Sequence, residues 1–222
     1  MAPASPRPGP PAYAQWRAGP RRSARYERTG AAAVVTIDRP ERRNAVDGPT
    51  ADELQRAFER FCADEGARVL VVAGGGEDAF CAGADLKAID TFAPRMGNPA
   101  GPMGFTHLVS PKPTIAAVSG WCVAGGLEIA LWCDMRVATE SATFGCLERR
   151  WGVPLIDGGT QRLPRVIGTG RALDLVLTGR DVPAAEALQM GLVNELVPAG
   201  KHVERALEIA ETIASQDRKS VV

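Results

Sequence analysis

Apolar positions along the chain fall into two rhythms, and their alternation predicts the architecture. Ala32 to Asp38 (AAVVTID) is β-branched and stops at Arg39-Pro40, as a strand followed by a turn should. Thr50-Ala51-Asp52-Glu53 then has capping-box spacing, and behind it Leu54, Ala57, Phe58, Phe61 and Cys62 fall on one helical face. Arg68 to Ala73 (RVLVVA) is an apolar strand, and Thr114 to Val118 (TIAAV) is another. Met135 to Ala138 and Ala142 to Phe144 read as short strands, and Leu192 to Val197 as a last one. Helical periodicity occupies Ala172–Leu177, Ala184–Met190 and His202–Ala214. Strand–helix–strand order of this kind predicts a layered α/β domain.

Between these elements lie segments with no period. Gly74-Gly75-Gly76 lacks a downstream Gly-Lys-Ser/Thr and opens no helix, so it reads as a turn and not as a phosphate loop. Phe80 to Lys87 is rich in small residues, which let a ligand approach the backbone closely. Thr91 to Phe105 is rich in Pro and Gly and long enough to form a lid or substrate loop. Met1 to Arg25 has prolines at 3, 6, 8, 10, 11 and 20 and no acidic residue; it is expected to be a disordered extension, with the fold beginning at Tyr26.

Composition narrows the function classes. The 222 residues carry 26 Lys and Arg against 26 Asp and Glu, so no net field attracts nucleic acid or an anionic membrane. No apolar run approaches the roughly 20 residues of a membrane helix. Five cysteines without a C-x-x-C pair and two distant histidines, His107 and His202, exclude familiar zinc spacings and predict reduced thiols. No serine sits in a G-x-S-x-G turn, which argues against a serine hydrolase.

The chemistry concentrates in Ser119 to Leu131, where Gly125-Gly126 precede a helix. The first N–H groups of a helix have no internal partner, and glycine lets a substrate oxygen reach them. A second free N–H from Ala82-Gly83-Ala84 would complete an oxyanion hole; packing alone is the equally weighted alternative. Glu128 lies about one helical turn after Gly125, and Glu148 follows a short strand. Two carboxyl groups beside an oxyanion site can share a water, one accepting its proton while the other protonates carbon. Each glutamate also has a plain structural reading, Glu128 as a helix-dipole partner and Glu148 as a partner for Arg149 or Arg150.

The segments Phe80–Lys87, Gly120–Glu128 and Phe144–Glu148 resemble successive signatures of the crotonase (enoyl-CoA hydratase/isomerase) superfamily, from about residue 26 to 214. Arg39-Pro40 with Asn44-Ala45, Lys112-Pro113 and Gly158 to Leu163 add to the likeness. The resemblance implies the crotonase (ClpP/crotonase-like) fold of stacked ββα units, a core domain over 26–200, and trimers or dimers of trimers. It implies an acyl-CoA substrate with no separate cofactor, since coenzyme A belongs to the substrate, and no metal, nucleic acid or membrane. A cytoplasmic setting is expected ahead of the mitochondrial matrix. Ala84 and Gly125 match the two donors to the thioester carbonyl, and Glu128 and Glu148 the two catalytic glutamates. Ala82, Asp85, Leu86 and Lys87 match the wall along the CoA chain, with Ala45 in a weaker contact turn.

Two departures accompany the match. Ala124 stands where relatives commonly have glycine. Asp157 is an extra carboxylate, readable as a third active-site acid or, with about twice the weight, as the cap of a helix starting at Gly158. Residues 201–222 are expected to be the beginning of an incomplete C-terminal helical region. Enoyl-CoA hydration is the leading expectation. An enoyl- or dienoyl-CoA isomerase and a non-catalytic truncated paralogue are the alternatives.

Overall fold

The computed structural model describes residues 23–216. Most of the expected extension therefore lies outside the described residues, as do residues 217–222. Six strands make the larger sheet: β1 (Ala24–Thr29), β2 (Ala32–Ile37), β3 (Val69–Gly74), β5 (Thr114–Val118), β7 (Met135–Thr139) and β10 (Glu195–Val197), in the order β1-β2-β3-β5-β7-β10. Only the β1–β2 pair in it is antiparallel. A smaller sheet orders β4 (Ala79–Cys81), β6 (Trp121–Val123), β8 (Thr143–Gly145) and β9 (Val182–Pro183). Each of β3, β5 and β7 is followed in sequence by a strand of the other sheet, and α3 (Gly125–Trp132) and α4 (Glu148–Trp151) come after β6 and β8. These are the stacked ββα units that the sequence resemblance implies.

The apolar runs reflect burial on both faces of the large sheet. Val69, Val71 and Ala73 pack with Ala32, Ile115, Ala117 and Val137 against α8 (His202–Ser215), whose Ala206 and Ala210 are fully buried. Leu70 and Val72 point the other way, into the main core with Phe58 and Phe61 of α1 (Gly48–Ala63). The helix α8 thus covers one face of the larger sheet.

Three local expectations are corrected. The helix α1 starts at Gly48 and is capped by Asp47, whose Oδ1 accepts from the Thr50 amide at 2.9 Å and the Thr50 hydroxyl at 2.6 Å. Glu53 is not part of a capping box; its Oε2 accepts from Ser23 Oγ and the Ala24 amide, and strand β1 starts at Ala24, two residues before Tyr26. The last strand is shorter than Leu192–Val197, because Leu192 O accepts from the buried Arg136 Nε and Asn194 Oδ1 from the Arg136 amide. Of the glycine triplet, Gly74 ends β3 and Gly75-Gly76 start the bend to β4: Asn44 is fully buried and its Nδ2 donates to Gly75 O at 3.0 Å and Ala79 O at 2.6 Å.

The segment from Leu86 to His107 is ordered and includes a short helix, α2 (Ile89–Phe92). Arg95 holds it to α1 through Asp52 and Gln55 and donates to Pro102 O at 3.2 Å. Phe105 stacks on Phe58 at 5.7 Å and meets Trp132 edge-on at 4.6 Å.

Candidate active site

A cavity of about 500 Å³ opens where the ends of β4, β6 and β8 face the Leu86–His107 segment. Ala82, Ala84, Leu86, Gly125, Glu128, Glu148 and Asp157 all line it. Asp85, Lys87 and Ala45 are not among its lining residues. Asp85 is 5% exposed and ion-pairs with Arg39 at 3.0 Å while accepting from the Lys87 amide at 3.1 Å; Arg39 also donates to Ala45 O. The Lys87 side chain lies on the surface. These three residues brace the turn instead of facing the cavity.

The two small-residue segments converge. The bridge between Val46 and Ala84 holds the Gly83–Asp85 strip in extended form, through Val46 N to Gly83 O and Asp85 N to Val46 O, both 2.8 Å. The Ala84 amide takes no part in that ladder. The Gly125 amide opens α3, where no residue four positions back can accept from it. Gly83 has φ +90, and a Cβ there would stand 3.0 Å from the Gly125 nitrogen. The strips are therefore in van der Waals contact, and only glycine at 83 permits it. Gly126 is equally constrained, since a Cβ there would come 2.0 Å from Cys81 O.

Ala124 caps α3 at φ 52 and ψ −133, a conformation that costs an L side chain of order 1–3 kcal/mol. Ala124→Gly should therefore raise stability by about 1 kcal/mol after the entropy glycine adds to the unfolded chain. Chemical denaturation of the two proteins checks this.

Three carboxyl groups meet at the cavity, with Glu128, Glu148 and Asp157 only 2%, 3% and 2% exposed. Glu128 Oε1 accepts from the amides of Gly159, at 2.7 Å, and Asp157, at 3.0 Å. Glu148 begins the one-turn helix α4, not a loop, and neither of its oxygens has a hydrogen-bond partner. Burial pushes Glu148 up to about 7, opposed by its own amide and helped by the charge of Asp157. Burial likewise pushes Glu128 up to about 8; the Gly159 amide opposes this, the charges of Asp157 and Glu148 add to it, and the Asp157 amide opposes it.

Asp157 is not a helix cap. The helix α5 (Gly159–Ile167) has Gly158 as its N-cap, with no side-chain bond there. The Asp157 carboxylate turns to the opposite wall, where Oδ1 accepts from the Met103 amide at 3.0 Å and from the Thr106 hydroxyl. Arg162 donates to the carbonyls of Asp157 and Thr106, tying the same two segments.

Sequence reasoning missed the apolar wall: Ile89, Phe92, Met96, Met103, Leu147 and Ile156 line the cavity with Trp121, Val123, Trp151, Val153 and Pro154. The aperiodic character of residues 91–105 points only to Phe92, Met96 and Met103 among them. Arg43 and Arg150 complete the lining. All five cysteines are free thiols, four of them buried. Among the described residues, no helix is long and apolar enough to cross a membrane.

Fold and cavity together define an α/β protein with an apolar chamber that combines unpartnered main-chain donors and buried carboxyl groups. The family model for enoyl-CoA hydratase/isomerase matches residues 27–222. A probable enoyl-CoA hydratase of Rhizobium meliloti is 42% identical over 193 residues, covering 85% of this chain and 74% of that one. The short-chain-enoyl-CoA hydratase of Clostridium acetobutylicum is 39% identical over the same shares. A crystal structure of carnitinyl-CoA hydratase from Mycobacterium avium superposes with a TM-score of 0.83 at 42% identity, covering 90% of this chain and 78% of that one. The chain belongs to the enoyl-CoA hydratase/isomerase family, and its fold is the crotonase fold.

Proposed function

We propose that the protein adds water across the 2,3-double bond of an enoyl-CoA thioester. The observation that carries this reading is the meeting of two buried glutamates with two unpartnered amides at one cavity. The thioester oxygen would accept from the amides of Ala84 and Gly125, which stabilise the enolate as charge moves onto that oxygen. Glu128, whose Oε1 is fixed by two N–H donors, takes a proton from water as the new C–O bond forms at Cβ; the single proton that the two glutamates hold between about pH 7 and about 8 is shared by the pair and moves between them. Glu148, to which no other residue donates a hydrogen bond, delivers a proton to Cα. Transfer of the proton from Glu128 to Glu148 resets the pair. A member that only shifts a double bond needs one such group; two facing the cavity favour hydration over isomerisation.

Coenzyme A enters as part of the substrate, and Ala82 and Leu86 would flank its thioester end with Arg43 near the cavity's edge. Free thiols suit a reducing compartment such as the cytoplasm. Assembly as a trimer or dimer of trimers belongs to the same reading. It is supported by Leu173 and Leu177, exposed one turn apart on α6 (Thr169–Thr178).

The pair should titrate in two steps, with the singly protonated form active. A plot of kcat/KM for crotonyl-CoA hydration against pH is expected to peak between about 7 and about 8 and fall on both sides. A plateau from pH 5 upward would mean that neither carboxyl is engaged.

A further inference from the structure

The Asp157 loop touches both sides of the cavity at once. Its amide donates to Glu128 Oε1, while its carboxylate accepts from the Met103 amide and the Thr106 hydroxyl. Met103 is 1% exposed, and its Cε and Sδ lie 3.1 and 3.3 Å from where a Cβ on Gly125 would be. One residue therefore joins the wall that packs on Gly125 to the peptide that fixes Glu128. The sequence separation between Asp157 and Met103 is 54 residues, so no local propensity brings them together.

We propose that Asp157 is a positioning residue, not a third acid: its carboxylate seats Met103 against Gly125 and thereby sets the acyl-binding wall beside the reacting carbons. This rests on the enoyl-CoA reading of the site. The wall that it fixes is apolar, and the two arginines of the lining, Arg43 and Arg150, have exposed side chains. Among the described residues, no other cationic side chain lines the chamber to meet a charged acyl terminus. The favoured substrates are 2-enoyl-CoA esters with plain hydrocarbon acyl groups, ahead of those ending in a free carboxylate.

Several charged or titratable groups face Asp157. They are Glu128 on α3, Glu148 on α4, Arg162 on α5, His107 on the lid segment and Cys81 on β4. Removing its negative charge leaves the two glutamates with one fewer like charge nearby, so both limbs of the pH profile should move to lower pH.

The test compares Asp157→Asn and Asp157→Ala with the parent protein on crotonyl-CoA, a longer unbranched 2-enoyl-CoA and one ending in a carboxylate. Asp157→Ala should raise KM about tenfold or more and blur discrimination among the three. Asp157→Asn keeps an acceptor for the Met103 amide; it should restore KM to within about threefold and shift the pH profile down. Met103→Ala should reproduce the KM rise with no pH shift, and the double variant Met103→Ala/Asp157→Ala should add little to either alone. Should Asp157→Ala not fold, Thr106→Val, nearly isosteric and lacking the hydroxyl donor, is expected to raise KM about two- to fivefold. A hundredfold loss of kcat in Asp157→Asn at unchanged KM would overturn the proposal and make Asp157 an acid or base of the reaction. Unchanged KM and selectivity in Asp157→Ala would overturn it as well. Hydrogen exchange at the Met103 amide reads the anchor without turnover. Faster exchange in Asp157→Ala supports the anchor even if the parent protein hydrates no enoyl-CoA, a result that would remove only the functional reading.

Discussion

Glu148→Gln is expected to lose between a hundred- and ten-thousandfold in kcat while becoming relatively more stable as pH rises. The first effect follows from the proposed mechanism, in which Glu148 delivers the proton to Cα. The second follows from linkage. The ordinary carboxyl value is 4.5 and burial raises Glu148 to about 7. Below about 4.5 the group is neutral in both folded and unfolded chains and costs nothing. As pH climbs toward about 7 the folded chain keeps a proton that the unfolded chain releases, and stability is lost progressively. At 1.36 kcal/mol per unit that loss reaches about 3 kcal/mol above pH 7. Glutamine cannot ionise, so the stability difference between variant and parent should grow by about 2 to 3 kcal/mol between pH 5 and pH 8. Denaturant unfolding at the two pH values measures it. A constant difference would mean that Glu148 is not the desolvated carboxyl described here.

Gly125→Pro should cost a hundred- to a thousandfold in kcat with the fold retained. Gly125 occupies the first position of α3, where proline is tolerated because the N–H has no helical partner. The substitution thus removes the one amide that the proposed mechanism assigns to the oxyanion hole from α3, and the expected loss is that of a single such donor. Its ring would lean on Met103, whose thioether end can move. Gly126 offers no comparable experiment, since any side chain there strikes the Cys81 carbonyl. Circular dichroism shows whether the helix survives, and turnover of crotonyl-CoA gives the loss. Full activity in a folded Gly125→Pro protein would remove the Gly125 amide from the mechanism.

How much of this was legible in the chain depended on whether the information was local. The strands β2, β3 and β5 announce themselves because both sheet faces are covered, which makes their residues apolar without alternation. Edge strand β1 does not: Ala24–Thr29 (ARYERT) is mostly polar, and its pairing is decided by β2. The helix α1 was visible but its cap was misread, because Thr50 and Glu53 fit a local motif while Asp47 and the distant Ser23 supplied the actual partners.

The site divides in the same way. Small residues at 82–84 and 124–126 and the two glutamates stand out by falling together in the order and spacing of the family's motifs, although each alone has a plain structural reading. The acyl wall does not stand out. Which side chains of residues 86–107 turn inward is fixed by Arg95 on α1, Phe105 on Trp132 and Asp157 on Met103, all long-range contacts. Asp157 drew notice in the sequence as an extra carboxylate. Its partners came from the fold alone, and they turned a supposed cap into a link between two walls.

In the function proposed above, this cavity hydrates a conjugated thioester. Incubating the protein separately with crotonyl-CoA and with a 3-enoyl-CoA, and following the conjugated-thioester absorbance, tests it most directly. Hydration predicts that the absorbance of crotonyl-CoA disappears with formation of the 3-hydroxyacyl product, and that none develops from the 3-enoyl ester. Absorbance appearing from the 3-enoyl ester while crotonyl-CoA stays unchanged would contradict the account and assign the glutamates to double-bond migration.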